Sequence, residues 1–210
     1  MATETFSVED ARAWMTAFGK AVSENQEYLT ELDSAIGDAD HGTNMDRGMR
    51  AVEEKLAAAN PATLGSVFKT VGMALVSTVG GASGPLYGTF FLRMGAALGD
   101  RSECDKADLS SALRTGIKGV TDRGKAQLGD KTMLDALSPA LDSFDGTEGL
   151  SIAAASAGAA EAAAAGRDAT APLKALKGRA SYLGDRSIGH IDPGSASAAL
   201  LMGALAKACA

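Results

Sequence analysis

Apolar residues recur every three or four positions along almost the whole chain, the spacing that turns one face of a helix toward a core. Ser7 reads as an N-cap, followed by a stripe of Val8, Ala11, Trp14, Met15, Phe18 and Val22. Met45, Met49, Val52 and Leu56 mark a second helix. Thr63 caps a third, with Leu64, Val67, Val71, Leu75 and Val79. Pro85 suits the first turn of a fourth, which carries Leu86, Phe90, Met94 and Leu98. Asp108 is the expected cap of a fifth, with Leu109, Leu113, Ile117 and Val120. Leu134, Leu137 and Leu141 mark a sixth, where Pro139 is expected to introduce a kink. The alanine-rich run 150–166 is a seventh, with 168–177 as a broken extension, and Ser195 to Ala208 is the last. No segment alternates with period two, so no sheet is expected. The expected fold is all-α: one domain over residues 1–210, built as an antiparallel eight-helix bundle.

The connections differ in character. In an antiparallel bundle the odd-to-even connections share one end. They are 33–44, 80–85, 121–132 and 178–194, and they hold most of the glycine clusters and both histidines, His41 and His190. The other connections, 60–63, 99–107 and 142–148, read as ordinary turns. A functional rim at one end is the consequence.

Composition narrows the function classes. A hydrophobic share of 46% is enough to build a sizeable core, and a net charge of −6 argues against nucleic acid as the main partner. No basic amphipathic helix points to a membrane surface, and the least polar run, 150–166, is interrupted by Glu161. Cys104 and Cys209 form neither a disulfide framework nor a C-x-x-C site, which fits a reducing cytoplasm. Residues 1–5 show no signal-peptide pattern.

The first rim connection carries the sharpest chemistry. Asp33, Asp38 and Asp40 fall within eight residues, interleaved with Gly37 and followed by His41, Gly42, Thr43 and Asn44. Carboxylates this close repel unless a cation sits among them. Their hard oxygens suit Mg²⁺, which is held by one or two carboxylates together with nucleotide phosphates. A helix starting beside them offers free N–H groups to an anion. A calcium loop needs Glu at its twelfth position, and counting from Asp38 that position is Met49. The competing structural reading makes Asp40 a plain helix cap, but it leaves the other two carboxylates, His41 and Asn44 without a role.

The remaining rim connections say less individually. Gly80-Gly81-Ala82-Ser83-Gly84-Pro85 offers bare backbone and a hydroxyl ahead of a helix, without the Gly-Lys-Ser/Thr of a Walker A loop. Residues 122–133 are basic and read as either phosphate-facing or a solvated linker; Met133 suits either the core or the face of a base. The seventeen residues 178–194 are long for a helix connection. Arg179 and Arg186 are suited to phosphates or carboxylates, and Asp192-Pro193-Gly194 to a turn. His41 is expected at the ligand, and His190 to order its own loop.

Leu-Asp-x-x-Ile-Gly-Asp-Ala-Asp-His-Gly-x-Asn-Met at 32–45 and Val-Gly-Gly-Ala-Ser-Gly-Pro-Leu-Tyr-Gly-Thr-Phe-Phe at 79–91 are followed by Arg-Gly-Lys-Ala at 123–126 and Gly-Asp-Lys-Thr-Met at 129–133. Lys-Gly-Arg-Ala-Ser-Tyr-Leu-Gly-Asp-Arg-Ser-Ile-Gly-His-Ile-Asp-Pro-Gly closes the series at 177–194. In this order the segments resemble the family formed by the L subunits of bacterial dihydroxyacetone kinases and the equivalent nucleotide domain of the single-chain kinases. The resemblance implies a closed barrel of eight antiparallel helices with nucleotide at one end. It implies two Mg²⁺ ions on Asp33, Asp38 and Asp40. It places His41, Gly42, Thr43, Asn44, Ala82 and Ser83 against ADP or ATP, with Gly124, Met133 and Arg179 lining the pocket and Asp192, Pro193 and Gly194 closing it.

The implied reaction is phosphoryl transfer to a hydroxyl of dihydroxyacetone, carried by a separate K subunit. No base or covalent substrate residue is evident in this chain. In one branch of the family ADP stays bound and is recharged by a phosphohistidine on an M subunit of the phosphotransferase system; in the other, ATP exchanges. A free-standing chain favours the first. Open alternatives are an ATP-dependent kinase subunit for dihydroxyacetone or a related ketose or polyol, and a coregulator through which a transcription factor senses nucleotide state. The oligomeric state, a homodimer included, is open as well.

Overall fold

The computed structural model describes residues 5–147 and 149–210. Residues 1–4, which carry most of the leader reading, and Glu148 in the connection 142–148 lie outside them. The described residues hold nine α-helices: α1 (Val8–Glu24), α2 (Gln26–Ile36), α3 (His41–Ala59), α4 (Leu64–Thr78), α5 (Ser83–Leu98), α6 (Lys106–Gly124), α7 (Leu134–Asp145), α8 (Ile152–Ala169) and α9 (Pro193–Ala208). A 3₁₀ segment, Arg179–Ser187, lies between the last two.

Local sequence accounts for most helix starts. Ser7 caps α1 and Thr63 caps α4, each in a reciprocal capping box, with Asp10 and Ser66 at the third helical position. Three boundaries differ from expectation. The cap of α6 is Asp105, whose carboxylate accepts the N–H of Asp108 at 2.8 Å; both residues are acceptable caps, and Asp105 is the one with extended backbone. Helix α9 begins at Pro193 with Asp192 as its cap, so Asp192-Pro193-Gly194 is a helix start rather than a free turn. Helix α8 ends at Ala169, and 170–178 does not extend it. Helix α7 runs through Pro139 as one element.

Three elements, two short strands and one helix, were absent from the expected pattern. Phe6–Ser7 and Glu103–Cys104 pair as antiparallel two-residue strands, too short to display a period. Helix α2 is the larger omission. It buries Leu29, Asp33 and Ile36, so its inner face mixes two apolar residues with an acid and leaves no clear stripe.

Helices α3 to α9 pack each against the next in chain order, and α1 lies between α9 and α3. Helix α2 lies against α3, α9 and the 3₁₀ segment. Helices α4 and α5 meet closely at Gly72 and Gly88: a Cβ on Gly72 would stand 2.8 Å from the Gly88 carbonyl oxygen. One turn along the same two helices, Trp14 is fully buried against Phe68 and Phe91. Its ring stands edge-on to Phe6, Phe68 and Phe91 at centroid distances of 6.3, 5.7 and 5.9 Å. Its indole N–H donates to the Leu201 carbonyl at 2.9 Å, tying α1 to α9.

Trp14→Ala removes this ring and its hydrogen bond together. Urea unfolding should show a loss of about 3–5 kcal/mol, the usual range for deleting a buried Trp or Phe. A loss below roughly 1 kcal/mol, the scale of an ordinary surface substitution, would show that Trp14 is not a keystone of the core.

Candidate functional site

Four connections converge at one end of the bundle around a pocket of about 390 Å³, within the usual range for small-molecule sites. The first connection is shorter than the sequence pattern implied. Asp33 belongs to α2, and only residues 37–40 link α2 to α3. The buried Asp33 carboxylate reaches across this link. Its Oδ2 accepts the N–H of Asp40 at 2.9 Å and of His41 at 3.2 Å. It thereby caps α3 from outside, while the Asp40 side chain makes no capping bond. Asp40 as a plain cap is thus excluded.

Ala39, between the other two carboxylates, has φ 62°. That left-handed turn costs a non-glycine residue about 1–2 kcal/mol. Oxygens of Asp33, Asp38 and Asp40 all lie within 4.8 Å of one another. The cluster meets the chemistry of a hard divalent cation: three carboxylates on a pocket wall, with Asp33 Oδ1 unused by the bonds that fix Oδ2. Gly37 makes room for that oxygen, since a Cβ there would stand 1.9 Å from Asp33 Oδ1. The Arg179 guanidinium lies 2.9 Å from Asp38 and offsets part of the negative charge.

His41 is buried beside the acids. Its Nδ1 lies 3.2 Å from Ser83 Oγ and its Nε2 lies 2.9 Å from Ser197 Oγ, which is 2.7 Å from the Tyr87 hydroxyl. The imidazole thus bridges α3, α5 and α9. Burial lowers its pKa and outweighs the opposing pull of Asp33 and Asp40, so the neutral ring is favoured. Helix α5 starts opposite, at Ser83, without a side-chain cap, and Gly80, Gly81, Ala82 and Ser83 form that wall.

Of the residues named from sequence, Asp33, Asp38, Asp40, His41, Asn44, Ala82, Ser83, Gly124, Met133, Arg179, Asp192, Pro193 and Gly194 all line this pocket. Gly42 and Thr43 do not. Gly42 faces α2, where a Cβ would stand 2.0 Å from the Gln26 carbonyl oxygen, and the Thr43 hydroxyl accepts a 3.4 Å bond from Gln26 Nε2. His190 is exposed and outside the pocket, and so is Arg186. Met133 is buried in the core and reaches the pocket as well.

The residue missed from sequence is Lys131, taken as a phosphate-facing or solvated cation. It is 1% exposed. Its ammonium donates to the carbonyls of Thr170, Ala171, Leu173, Ser187 and His190 at 2.5–3.4 Å. These partners lie 39 to 59 residues away, so no local pattern reveals them. Nearby, Asp135 accepts N–H groups from Gly129 and Thr132 and shapes the turn carrying Lys131.

Residues 35–207 match the DAK2 domain family. The chain belongs to this family. It is 45% identical to the PEP-dependent dihydroxyacetone kinase 1, ADP-binding subunit DhaL, of Listeria innocua, over 96% of each chain. It is 47% identical to the corresponding ADP-binding subunit of Escherichia coli, covering 93% of this chain and 94% of that one. The DAK2 domain described here also superimposes on a crystal structure of the dihydroxyacetone kinase from C. freundii in complex with AMP-PNP and Mg²⁺. That match has a TM-score of 0.72 at 29% identity, and covers 92% of this chain and 33% of the longer one. No helix among the described residues of this DAK2 domain is long and apolar enough to cross a membrane.

Gly37→Ala should push the Asp33 carboxylate out of place. Divalent-metal affinity should fall roughly 10–100-fold, the range seen when a ligand loses its support. Titration calorimetry measures this, with Gly203→Ala, which meets open space, as the control. Equal affinities in the two variants would remove Gly37 from the site.

Asp192 generates a pH prediction. Burial raises its pKa to about 7, against the bond from the Ser195 N–H. The unfolded carboxyl titrates near 3.9. Between those values the folded chain holds a proton that the unfolded chain has released, so this group's contribution to stability falls as pH rises through that window. Asp192→Asn keeps an acceptor for the cap and removes the titration. In metal- and nucleotide-free protein, urea midpoints from pH 4 to 8 should decline less in the variant. Parallel curves would place the Asp192 pKa near its ordinary value.

Proposed function

We propose that this chain is the ADP- and Mg²⁺-binding subunit of a dihydroxyacetone kinase. It transfers a phosphoryl group from bound nucleotide to dihydroxyacetone held on a separate K-type subunit, and is recharged by a phosphohistidine on an M-type subunit of the phosphotransferase system. The observation that carries this reading is the pocket itself, with a carboxylate triad on one wall and an uncapped helix start opposite. Relatives named as ADP-binding subunits, and one from Lactococcus lactis named as PTS-dependent, support the donor assignment.

Asp33, Asp38 and Asp40 would hold two Mg²⁺ ions, which neutralise phosphate charge when bound. Asn44, Ala82, Ser83, Gly124, Met133 and Arg179 would line the nucleotide, and Asp192, Pro193 and Gly194 would close over it. His41 would act by bracing two helices and a hydroxyl at the phosphate end. Gly42 and Thr43 would contribute through backbone and helix packing. Phosphoryl transfer depends mainly on position and charge, so a rigid pocket without a base is sufficient on this side of the reaction. The packing circuit of α1 and α3–α9 supports a closed eight-helix barrel over one domain, residues 1–210, with α2 outside the ring. A cytoplasmic location follows from the proposed donor.

The test loads labelled ADP with Mg²⁺, adds the K-type subunit, the triose and a phosphorylated M-type subunit, and follows label and product together. Triose phosphate should accumulate over many turnovers while the label stays bound, and Asp33→Asn, Asp38→Asn and Asp40→Asn should each lose the label on desalting. Label that washes out once per cycle would replace the M-type donor with ATP. Full retention in all three variants would overturn the metal assignment.

A further inference from the structure

The segment between α8 and α9, residues 170–192, forms a strap over one side of the pocket and carries Arg179 and Asp192 to it. Two stretches of the strap, 170–173 and 187–190, turn their carbonyls inward around the Lys131 ammonium. An ammonium has three N–H groups, and here five oxygens share them. This is a coordination shell rather than a set of paired hydrogen bonds. Among the described residues no carboxylate lies within ion-pair distance of this nitrogen. At hydrogen-bond distance the positive charge is met by backbone dipoles, three of them just past the C-terminus of α8, where a cation is favoured, and Asp192 acts on it from farther away.

The two rims of the shell are also tied to each other without Lys131. Gly189 donates its N–H to the Ala171 carbonyl at 2.8 Å, Ala175 donates to Ser187 Oγ at 2.9 Å, and Asp192 donates to Thr170 Oγ1 at 3.0 Å. The cage therefore has a framework of its own. Rings of backbone carbonyls are also how proteins replace the hydration shell of K⁺, an ion close to ammonium in size.

We infer that Lys131 is a tethered monovalent cation: it fills a carbonyl cage that would otherwise take K⁺ or NH₄⁺, and by filling it positions the strap over the pocket. Lys131 also lines the pocket, but its ammonium is turned to the strap carbonyls, so it is a positioning residue acting through the strap. The effect on nucleotide rests on the function proposed above; the cage itself does not.

Two variants separate charge from bulk. Lys131→Ala opens the cage to an ion, whereas Lys131→Met fills it with an uncharged chain. Amide hydrogen exchange over 170–190 is followed in nucleotide-free protein, in choline chloride, KCl and NH₄Cl at equal ionic strength. In choline chloride both variants should exchange about tenfold faster than the parent, because hydrogen bonds to a charged group are lost. KCl and NH₄Cl should restore protection in Lys131→Ala but not in Lys131→Met, and should leave the parent unchanged. Parent-like protection of either variant in choline chloride would overturn the inference. So would a Lys131→Ala variant that ignores K⁺, or a Lys131→Met variant that regains protection in KCl. If Lys131→Ala does not fold in choline chloride, refolding yield in KCl replaces exchange as the readout, and no gain in KCl overturns the inference. ADP dissociation is measured in the same salts. Faster release from Lys131→Ala, slowed again by K⁺, links the cage to the pocket. Unchanged release limits Lys131 to ordering the strap and overturns its positioning role. A parent protein that binds no ADP overturns the proposed function instead, and leaves the cage to stand or fall on exchange.

Discussion

The rim is organised by one carboxylate. Asp33 leaves the last turns of α2 and accepts the N–H groups of Asp40, the last residue of the α2–α3 link, and of His41, the first of α3. A buried acid of this kind is costly unless its oxygens are satisfied. Here the bonds that satisfy it also fix the start of α3, and with it the directions of Asp40, His41 and Asn44. One oxygen is spent on the backbone and the other stays beside Gly37, where no side chain can crowd it. The geometry of the acidic cluster follows from helix capping, with one Asp33 oxygen left over.

Part of the negative charge gathered there is offset by a residue distant in sequence. Arg179 reaches Asp38 from the strap, and the strap rests on α2 through a small apolar cluster of Ile36, Ala175 and Ala180, with Leu183 against it. Helix α2 is therefore a shared footing. Its buried Asp33 sets one wall of the pocket, and its buried Ile36 seats the segment that covers it. The strap is short of apolar contacts and rich in backbone hydrogen bonds, among them the five carbonyls on Lys131. Its order depends on polar interactions more than that of the main core does, and those interactions are where a pocket cover can be held or released.

Beside the acids, His41 joins three helices through hydroxyls. Ser83 and Tyr87 come from α5 and Ser197 from α9, and the neutral ring sits between them. Polar groups held in place before a ligand arrives need no reorganisation when it binds. The packed aromatic cluster around Trp14, Phe68 and Phe91 holds α1, α4 and α5 rigid behind this wall. The 390 Å³ pocket is thus backed by core packing on one side and by a polar strap on the other.

The sequence was sufficient for features that depend on neighbours a few residues apart. Helical periodicity located α1 and α3–α9, the Ser7 and Thr63 caps were visible as capping patterns, and the spacing of Asp33, Asp38 and Asp40 exposed the acidic cluster. The odd-to-even rule for helix connections assembled four distant loops at one end before any contact was known. Helix α2 escaped because a short helix whose inner face mixes Leu29 and Ile36 with Asp33 has no clean apolar stripe. Lys131 escaped for a different reason: its oxygens come from 170–173 and 187–190, and a lysine between Asp130 and Thr132 looks solvated until those segments fold over it. Only the tertiary structure decided which carboxylate oxygen is spent on backbone, which arginine faces an acid, and which lysine is buried. Each of those outcomes depends on groups tens of residues apart meeting at hydrogen-bond distance, and periodicity carries no record of such meetings.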